Sequence, residues 1–522
     1  MSEYTRQVSE AVQQSLEQVQ WKVRRREVGQ VVSVGDGVAY IRGAPSVQYG
    51  ELLERSDGLT GLAFDLRQQE VGVLFLDPSQ HVSAGDELRP TGRTASVRVG
   101  EELLGRVIDA LGRPLDEGPP LRSQTWWPVE REAPGIIERT PVRESLHTGT
   151  KVIDALLPLG RGQRELIIGD RATGKTAIAL DAILAQRETG VICVYTAIGQ
   201  RKATVADVVN TLNSQGAISY TVVVAADADS PPGHQYICPY TACTIGEYFM
   251  SQGRHVLVVY DDLTKHADAY RRASLLLGRP PGREAYPADV FYLHARLLER
   301  ATKLHEKHGG GSLTALPIAT TQAGNISAYI PTNLISITDG QLCLDARLFN
   351  EGIRPAVDLG LSVSRVGGKA QPALLRKLAG DLRLLYAQYN ELETFARFGA
   401  ELEPETRRRL ERGRRLREAL KQPRLKPLSL GQEAVTLFAI REGLVDEIAV
   451  EQVSDFLEAL CLRLAEQDTD TLNALENGDD LTAELQEKLR HSITAAQQTF
   501  SRGAQDEPRT DETTQAGGKR DS

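Results

Sequence analysis

Gly169-Asp170-Arg171-Ala172-Thr173-Gly174-Lys175-Thr176 is the stretch from which the rest of the chain is read. The apolar run Glu165-Leu166-Ile167-Ile168 precedes it and reads as a buried strand. Ala177-Ile178-Ala179-Leu180-Asp181-Ala182-Ile183-Leu184 follows and consists of good helix formers. Strand, G-x-x-x-x-G-K-T and helix, in that order, is the context of a phosphate-binding loop. Gly169 and Gly174 let backbone N–H groups curl around a polyphosphate, and the helix N-terminus adds favourable partial charge. Lys175 is expected to reach the β- and γ-phosphates, and the Thr176 hydroxyl to hold Mg²⁺. A bare glycine turn with a surface lysine would not need that strand and helix. The chain is expected to bind a nucleoside triphosphate.

C-terminal to the loop, strands alternate with helices. Val191-Ile192-Cys193-Val194-Tyr195, Tyr220-Thr221-Val222-Val223-Val224 and His255-Val256-Leu257-Val258-Val259-Tyr260 are runs of buried-strand character. Their alternation with helical segments predicts a mostly parallel sheet covered by helices. The third run ends in Asp261-Asp262. A carboxylate at the C-terminal end of a strand, beside a phosphate loop, is where a Walker-B aspartate holds Mg²⁺ through water. Asp261 directly follows the apolar run and is the candidate.

N-terminal to the loop, residues 96–150 form a Gly/Pro-rich approach, and from 27 to 95 the period changes to two. Val31 to Val34, the turn Gly35-Asp36-Gly37 and Val38 to Gly43 read as a hairpin. Leu59 to Leu66 and Val71 to Leu76 add short strands, and even spacing of this kind predicts a small closed barrel. Residues 1–26 place Val8, Val12, Leu16 and Val19 on one helical stripe, which suits docking on another chain; a frayed, solvated terminus is the other reading. Beyond 380 the strands stop and helical periodicity takes over. The basic piece Arg407 to Lys426 has Glu411 and Glu418 interleaved and Glu405 just before it, so a solvated helix face is expected rather than a nucleic-acid site.

The expected organisation is multidomain: a docking helix over 1–26, a β-barrel over 27–95 and a RecA-like α/β nucleotide-binding domain over 96–380. An all-α domain over 381–503 and a disordered tail over 504–522 complete it. A length of 522 residues accommodates this, since single cores stop growing well below that size. A net charge of −9 argues against a dedicated nucleic-acid binder. Cys193, Cys238, Cys243, Cys343 and Cys461 are scattered in apolar surroundings without zinc-ligand spacing, and buried thiols in a reducing compartment are expected. With no apolar run near the ~18 residues needed to span a bilayer and no signal-peptide pattern, a cytoplasmic protein is expected, any membrane role coming through partners.

Further stretches are specific. Gly160-Arg161-Gly162-Gln163-Arg164-Glu165-Leu166-Ile167-Ile168-Gly169-Asp170-Arg171 comes first, followed by Pro280-Pro281-Gly282-Arg283-Glu284-Ala285-Tyr286-Pro287. Then come Gly310-Gly311-Ser312-Leu313-Thr314-Ala315-Leu316-Pro317 and Ile330-Pro331-Thr332-Asn333. The last is Arg354-Pro355-Ala356-Val357-Asp358-Leu359-Gly360-Leu361-Ser362-Val363-Ser364-Arg365. In these the chain resembles the alpha subunits of F-type ATP synthases over nearly its whole length. The resemblance implies ATP or ADP with Mg²⁺ as ligands, and a ring of alternating alpha and beta subunits around a gamma shaft. It also implies a delta or peripheral-stalk contact through the N-terminal helix, and attachment through a membrane sector at the cytoplasmic face of a bacterial inner membrane.

The same resemblance assigns residues. Where catalytic beta subunits carry a glutamate that polarises the attacking water, this chain has Gln200, which can orient water but cannot accept a proton as general base. Arg365 is implied to be an arginine finger reaching the neighbouring beta site, a role worth ~10³-fold or more in such enzymes. Arg354, Pro355 and Gln422 match an adenine pocket, whereas Arg424 stands where a second glutamine is common. Ala172 replaces a usual glutamine in the loop, and Lys369 puts a charge where small residues are usual. These departures suggest a divergent or second copy. Two other classes share parts of this pattern. A Rho-like hexameric RNA helicase would need a basic, aromatic barrel face, but residues 27–95 offer Tyr40, Tyr49, Phe64 and Phe75 and no dense basic stripe. A secretion-type export ATPase would carry a glutamate at position 200.

Overall fold

The computed structural model describes residues 27–79, 81–396, 403–478 and 481–506, and they form two compact units dividing between Ala95 and Ser96. The first is a closed barrel of β1 (Gly29–Gly35), β2 (Val38–Arg42), β3 (Glu51–Glu54), β4 (Thr60–Leu66), β5 (Val71–Phe75) and β6 (Glu87–Thr94). The strand order is β1-β2-β5-β4-β3-β6, and β6 pairs back on β1. Val31, Ile41, Leu53, Val73, Phe75 and Leu88 point inward and fill it. Closure removes exposed edges from a unit too small to cover them otherwise. Sequence reading finds β1, β2, β4 and β5. It misses β3, four residues long, and β6, which carries Pro90 and Gly92 and is largely solvated.

In the second unit, eight strands form one sheet: β7 (Val107–Asp109), β8 (Leu166–Gly169), β9 (Ile192–Gln200), β10 (Thr221–Asp227), β11 (His255–Asp261), β12 (Ser312–Thr320), β13 (Gly340–Leu344) and β14 (Val363–Ser364). Their order is β14-β13-β8-β12-β11-β9-β10-β7, parallel throughout except for β14 on β13. Near-continuous apolar runs such as His255–Asp261 follow from burial on both faces, which crossover helices provide. The phosphate-loop strand β8 is central, and its carboxyl end opens into the helix Lys175–Leu184.

From Ala373 onward the chain is helical, with helices Ala373–Ala379, Leu382–Ala396, Pro404–Ala419, Leu430–Arg441, Val453–Gln467, Thr469–Glu476 and Ala483–Asp506. One core runs from the sheet into these helices, joining Ile167 and Val259 to Leu375, Phe438 and Phe456. The fold class is therefore the one the sequence predicts: N-terminal barrel, central mostly parallel α/β sheet, C-terminal helices. The basic piece is helical, and Glu405, Glu411, Glu393 and Glu418 pair with Arg409, Arg414, Arg417 and Lys421. The last helix runs to Asp506, into the stretch where a tail is expected. The docking helix expected over 1–26 and the remaining tail, 507–522, lie outside the described residues. All five cysteines are free and buried. No described helix is long and apolar enough to cross a membrane.

Candidate nucleotide-binding site

The loop Gly169–Thr176 lies at the carboxyl end of the sheet, with Gly174 at φ 97° as the residue that turns into the helix. A β-carbon at Gly169 would lie 2.7 Å from the Leu344 carbonyl oxygen, so glycine is required there for packing. Ala172 also adopts a positive φ, 63°, the backbone curl that brings successive N–H groups round one point. Lys175 is buried, and its Nζ donates to the carbonyls of Gly169 (2.8 Å) and Asp170 (2.5 Å). Burial lowers its pKa, opposed by Asp262, Asp261 and Asp170. Thr173 and Asp170 brace the loop: Thr173 Oγ1 donates to the Asp170 carbonyl, and the Asp170 carboxylate accepts from Thr321 Oγ1 and Gly324 N. Arg171 is exposed.

Asp261 ends β11 beside the loop, and its carboxylate collects three donors. Thr176 Oγ1 is at 2.7 Å and Tyr195 Oη at 2.8 Å, both on Oδ2, while Gln200 Nε2 is at 2.7 Å from Oδ1. Its neighbour Asp262 caps the next helix through Lys265 N (2.8 Å) and accepts from Thr320 Oγ1 (2.9 Å). Burial, then the charge of Asp261, pushes Asp262 up to about 6. A hydroxyl and two carboxylates at one strand end make an all-oxygen donor set, and this fits Mg²⁺. Gln200 is gripped from both sides. Its amide nitrogen donates to Asp261, and its Oε1 accepts from Lys265 Nζ at 2.8 Å, which also reaches the Gly199 carbonyl at 2.9 Å.

Gly174 leads to the adenine candidates through Phe349, whose ring lies 3.9 Å from where a β-carbon at Gly174 would be. The Arg354 guanidinium stacks over that ring at 4.4 Å, and the Arg354 carbonyl accepts from Gln422 N at 2.8 Å. The Gln422 side chain is buried and fully used: Oε1 accepts from Lys151 N, and Nε2 donates to the carbonyls of Gly149 and Lys426. Arg354, Pro355 and Gln422 thus sit together, and Arg424 is exposed.

Arg365 lies elsewhere. Ser364 pairs with Gly340, the first residue of β13, whereas the phosphate loop follows Gly169, which pairs with Leu344 at the other end of β13. Four residues of strand, roughly 13 Å, separate those ends. Arg365 is exposed, its N–H donating to the Asp339 carbonyl (2.9 Å) and its Nη1 to the Thr338 carbonyl (3.4 Å). Beneath it Glu165 is fully buried, and burial raises its pKa well above the ordinary range.

Comparison with known proteins fits this geometry domain by domain. The family model of the ATP synthase alpha/beta nucleotide-binding domain matches residues 149–364, the C-terminal domain model 371–496 and the beta-barrel domain model 25–92. The chain belongs to the ATP synthase alpha/beta family. Among its relatives, ATP synthase subunit alpha of Lawsonia intracellularis is 50% identical over 95% of this chain and 98% of its own length. ATP synthase subunit alpha 2 of Syntrophotalea carbinolica is 56% identical over 84% of each chain. ATP synthase subunit alpha 2 of Albidiferax ferrireducens is 53% identical over 91% of this chain and 89% of its own.

Within this alpha/beta-family site, sequence reading misses Tyr195, Lys265, Thr320 and Phe349. Tyr195 reads only as an apolar strand residue. Lys265, three residues after Asp262 at a helix start, has a local signal, the N-cap pattern. Thr320 and Phe349 come from remote segments and have none.

Proposed function

We propose that this chain is the regulatory, non-catalytic nucleotide-binding alpha subunit of an F-type ATP synthase head. In this reading Gly169–Thr176 holds the phosphates of ATP or ADP, with Lys175 turning from its loop carbonyls toward them. Thr176 and Asp261 hold Mg²⁺, which screens phosphate charge when bound. Arg354, Pro355, Gln422 and Arg424 form the adenine side. The domain boundaries expected from sequence belong to the same proposal.

One observation carries the non-catalytic assignment. Gln200 occupies the position for a water-activating base, but its amide is spent as a donor to Asp261 and an acceptor from Lys265. An amide has no basic oxygen to take a proton from water, and this one is also pinned. Arg365, exposed at the far end of the sheet from its own loop, suits action on a neighbouring beta-subunit site. The complex so formed would make ATP from ADP and phosphate on a proton or sodium gradient, or hydrolyse ATP to pump ions. Its other partners would be the gamma shaft, a delta or peripheral-stalk subunit on residues 1–26 and a membrane sector. The complex would lie on the cytoplasmic face of a bacterial inner membrane. Two relatives are named alpha 2, which supports reading this chain as a second copy. The family match does not favour a helicase or an export ATPase. The test is Arg365→Ala in the reconstituted complex: assembly stays intact while ATPase falls by orders of magnitude, and unchanged ATPase would refute the finger.

A further inference from the structure

A second cluster of chemistry-bearing side chains lies away from the phosphate loop. His147 precedes the helix Lys151–Leu156, Asp154 lies in it, and Glu433 lies in the helix Leu430–Arg441. His147 Nε2 is 3.2 Å from Glu433 Oε2 and 3.5 Å from Asp154 Oδ2, and one donor atom from each residue lies within 4.8 Å of the others. Asp154 is 4% exposed and Glu433 0%. Thr148 N donates to both Asp154 oxygens at 3.0 Å and Thr150 N to one at 3.3 Å, which favours its ionised form. Glu433 has no such support: neither of its oxygens has a hydrogen-bond partner, nor does His147 Nε2 or the neighbouring Thr150 Oγ1.

Buried carboxylates without hydrogen bonds are strongly unfavourable unless a charge compensates them. With both carboxylates ionised, an imidazolium leaves the triad one negative charge in excess, whereas a divalent cation with neutral imidazole brings it to zero. Donor spacing agrees. Bonds of about 2.0–2.2 Å to a tetrahedral ion put donor atoms roughly 3.3–3.6 Å apart, close to the 3.2 and 3.5 Å seen around His147, with the third pair within 4.8 Å. His147 also lines a cavity of about 1150 Å³ shared with Lys151, Gln432, Cys461 and Glu476, while its Nε2 and the Glu433 oxygens are buried behind that lining.

We propose that His147, Asp154 and Glu433 bind one divalent transition-metal cation that staples the nucleotide-binding domain to the C-terminal helices. One imidazole and two carboxylates suit Zn²⁺ best, since imidazole is a poor ligand for Mg²⁺ or Ca²⁺. The site is independent of the nucleotide reading. Its competitors are a proton on Glu433, whose pKa burial and the charge of Asp154 push up to about 8, and a proton on His147, whose pKa burial lowers but the two carboxylates carry up to about 10.

The test uses the full chain, stripped with chelator and kept in excess Mg²⁺ so that the phosphate loop does not take up the probe metal. Zn²⁺ is offered by equilibrium dialysis and measured by elemental analysis. The expected result is about one Zn²⁺ per chain, with affinity lowered roughly 10–100-fold by His147→Gln and by Glu433→Gln. Both substitutions are close in shape, and circular dichroism checks that the variants fold. Should a variant not fold, Co²⁺ on the unaltered chain decides. Visible bands of a non-octahedral, thiolate-free ion support the site, and the spectrum of the hydrated ion overturns it. Zn²⁺ uptake equal in the parent and both variants, or abolished only by Cys461→Ser, also overturns it.

Discussion

Gln200 is held by both ends of its amide, and so its replacement has a definite consequence. Gln200→Glu puts a carboxylate where a donor faces Asp261 at 2.7 Å, leaving Lys265 as its compensating charge. The expected cost is about 1–3 kcal/mol of stability without Mg²⁺, with ATP turnover at this site becoming measurable. Turnover that stayed at the parent level would mean a missing base is not what silences the site. Arg365→Ala touches neither the loop nor the core, since the side chain is exposed and only its Nη1 makes a long bond to Thr338. Assembly should therefore survive while kcat of the complex drops ~10³-fold or more. At this scale the sequence was readable where a backbone motif dictates chemistry, as in Gly169–Thr176. It was unreadable for Tyr195 and Thr320, whose meeting with Asp261 and Asp262 depends on sheet order.

Two elements answer to packing. Asp181, on the helix that begins at Lys175, is 5% exposed and accepts from Leu425 N at 2.7 Å. Burial pushes its carboxyl up to about 7, with that single bond opposing. The folded state thus retains a proton that the unfolded chain, titrating near ~4, gives up. This contribution to stability is complete below about pH 4 and is lost as pH rises to about 7. Asp181→Asn keeps an acceptor for Leu425 and should flatten the slope. At pH 8 the gain should be on the order of 4 kcal/mol in denaturant unfolding. In the helix Pro404–Ala419, Gly413 lies against Tyr389: an added β-carbon would be 2.3 Å from the ring. Gly413→Ala should lower the unfolding midpoint, because overpacking costs about 1–3 kcal/mol against roughly 1 kcal/mol of helix propensity gained. Helices and buried strands were legible from periodicity. The short barrel strand Glu51–Glu54 and the solvated Glu87–Thr94 carried too little apolar pattern to register.

At the scale of the whole molecule, the order barrel, parallel sheet, helices follows from three changes of hydrophobic period along the chain, and the family match agrees with it. What the period does not carry is how remote segments converge. His147 and Glu433 are nearly three hundred residues apart in sequence, yet Oε2 of one is 3.2 Å from Nε2 of the other. In the proposed head labour is divided: this chain holds nucleotide, and chemistry occurs on a neighbour to which Arg365 is lent. Loading the purified chain alone with γ-labelled Mg-ATP and following the label over time separates the two roles. About one nucleotide bound per chain, recovered as intact ATP with negligible phosphate release, is the expected result. Brisk release of labelled phosphate by the chain alone would contradict it.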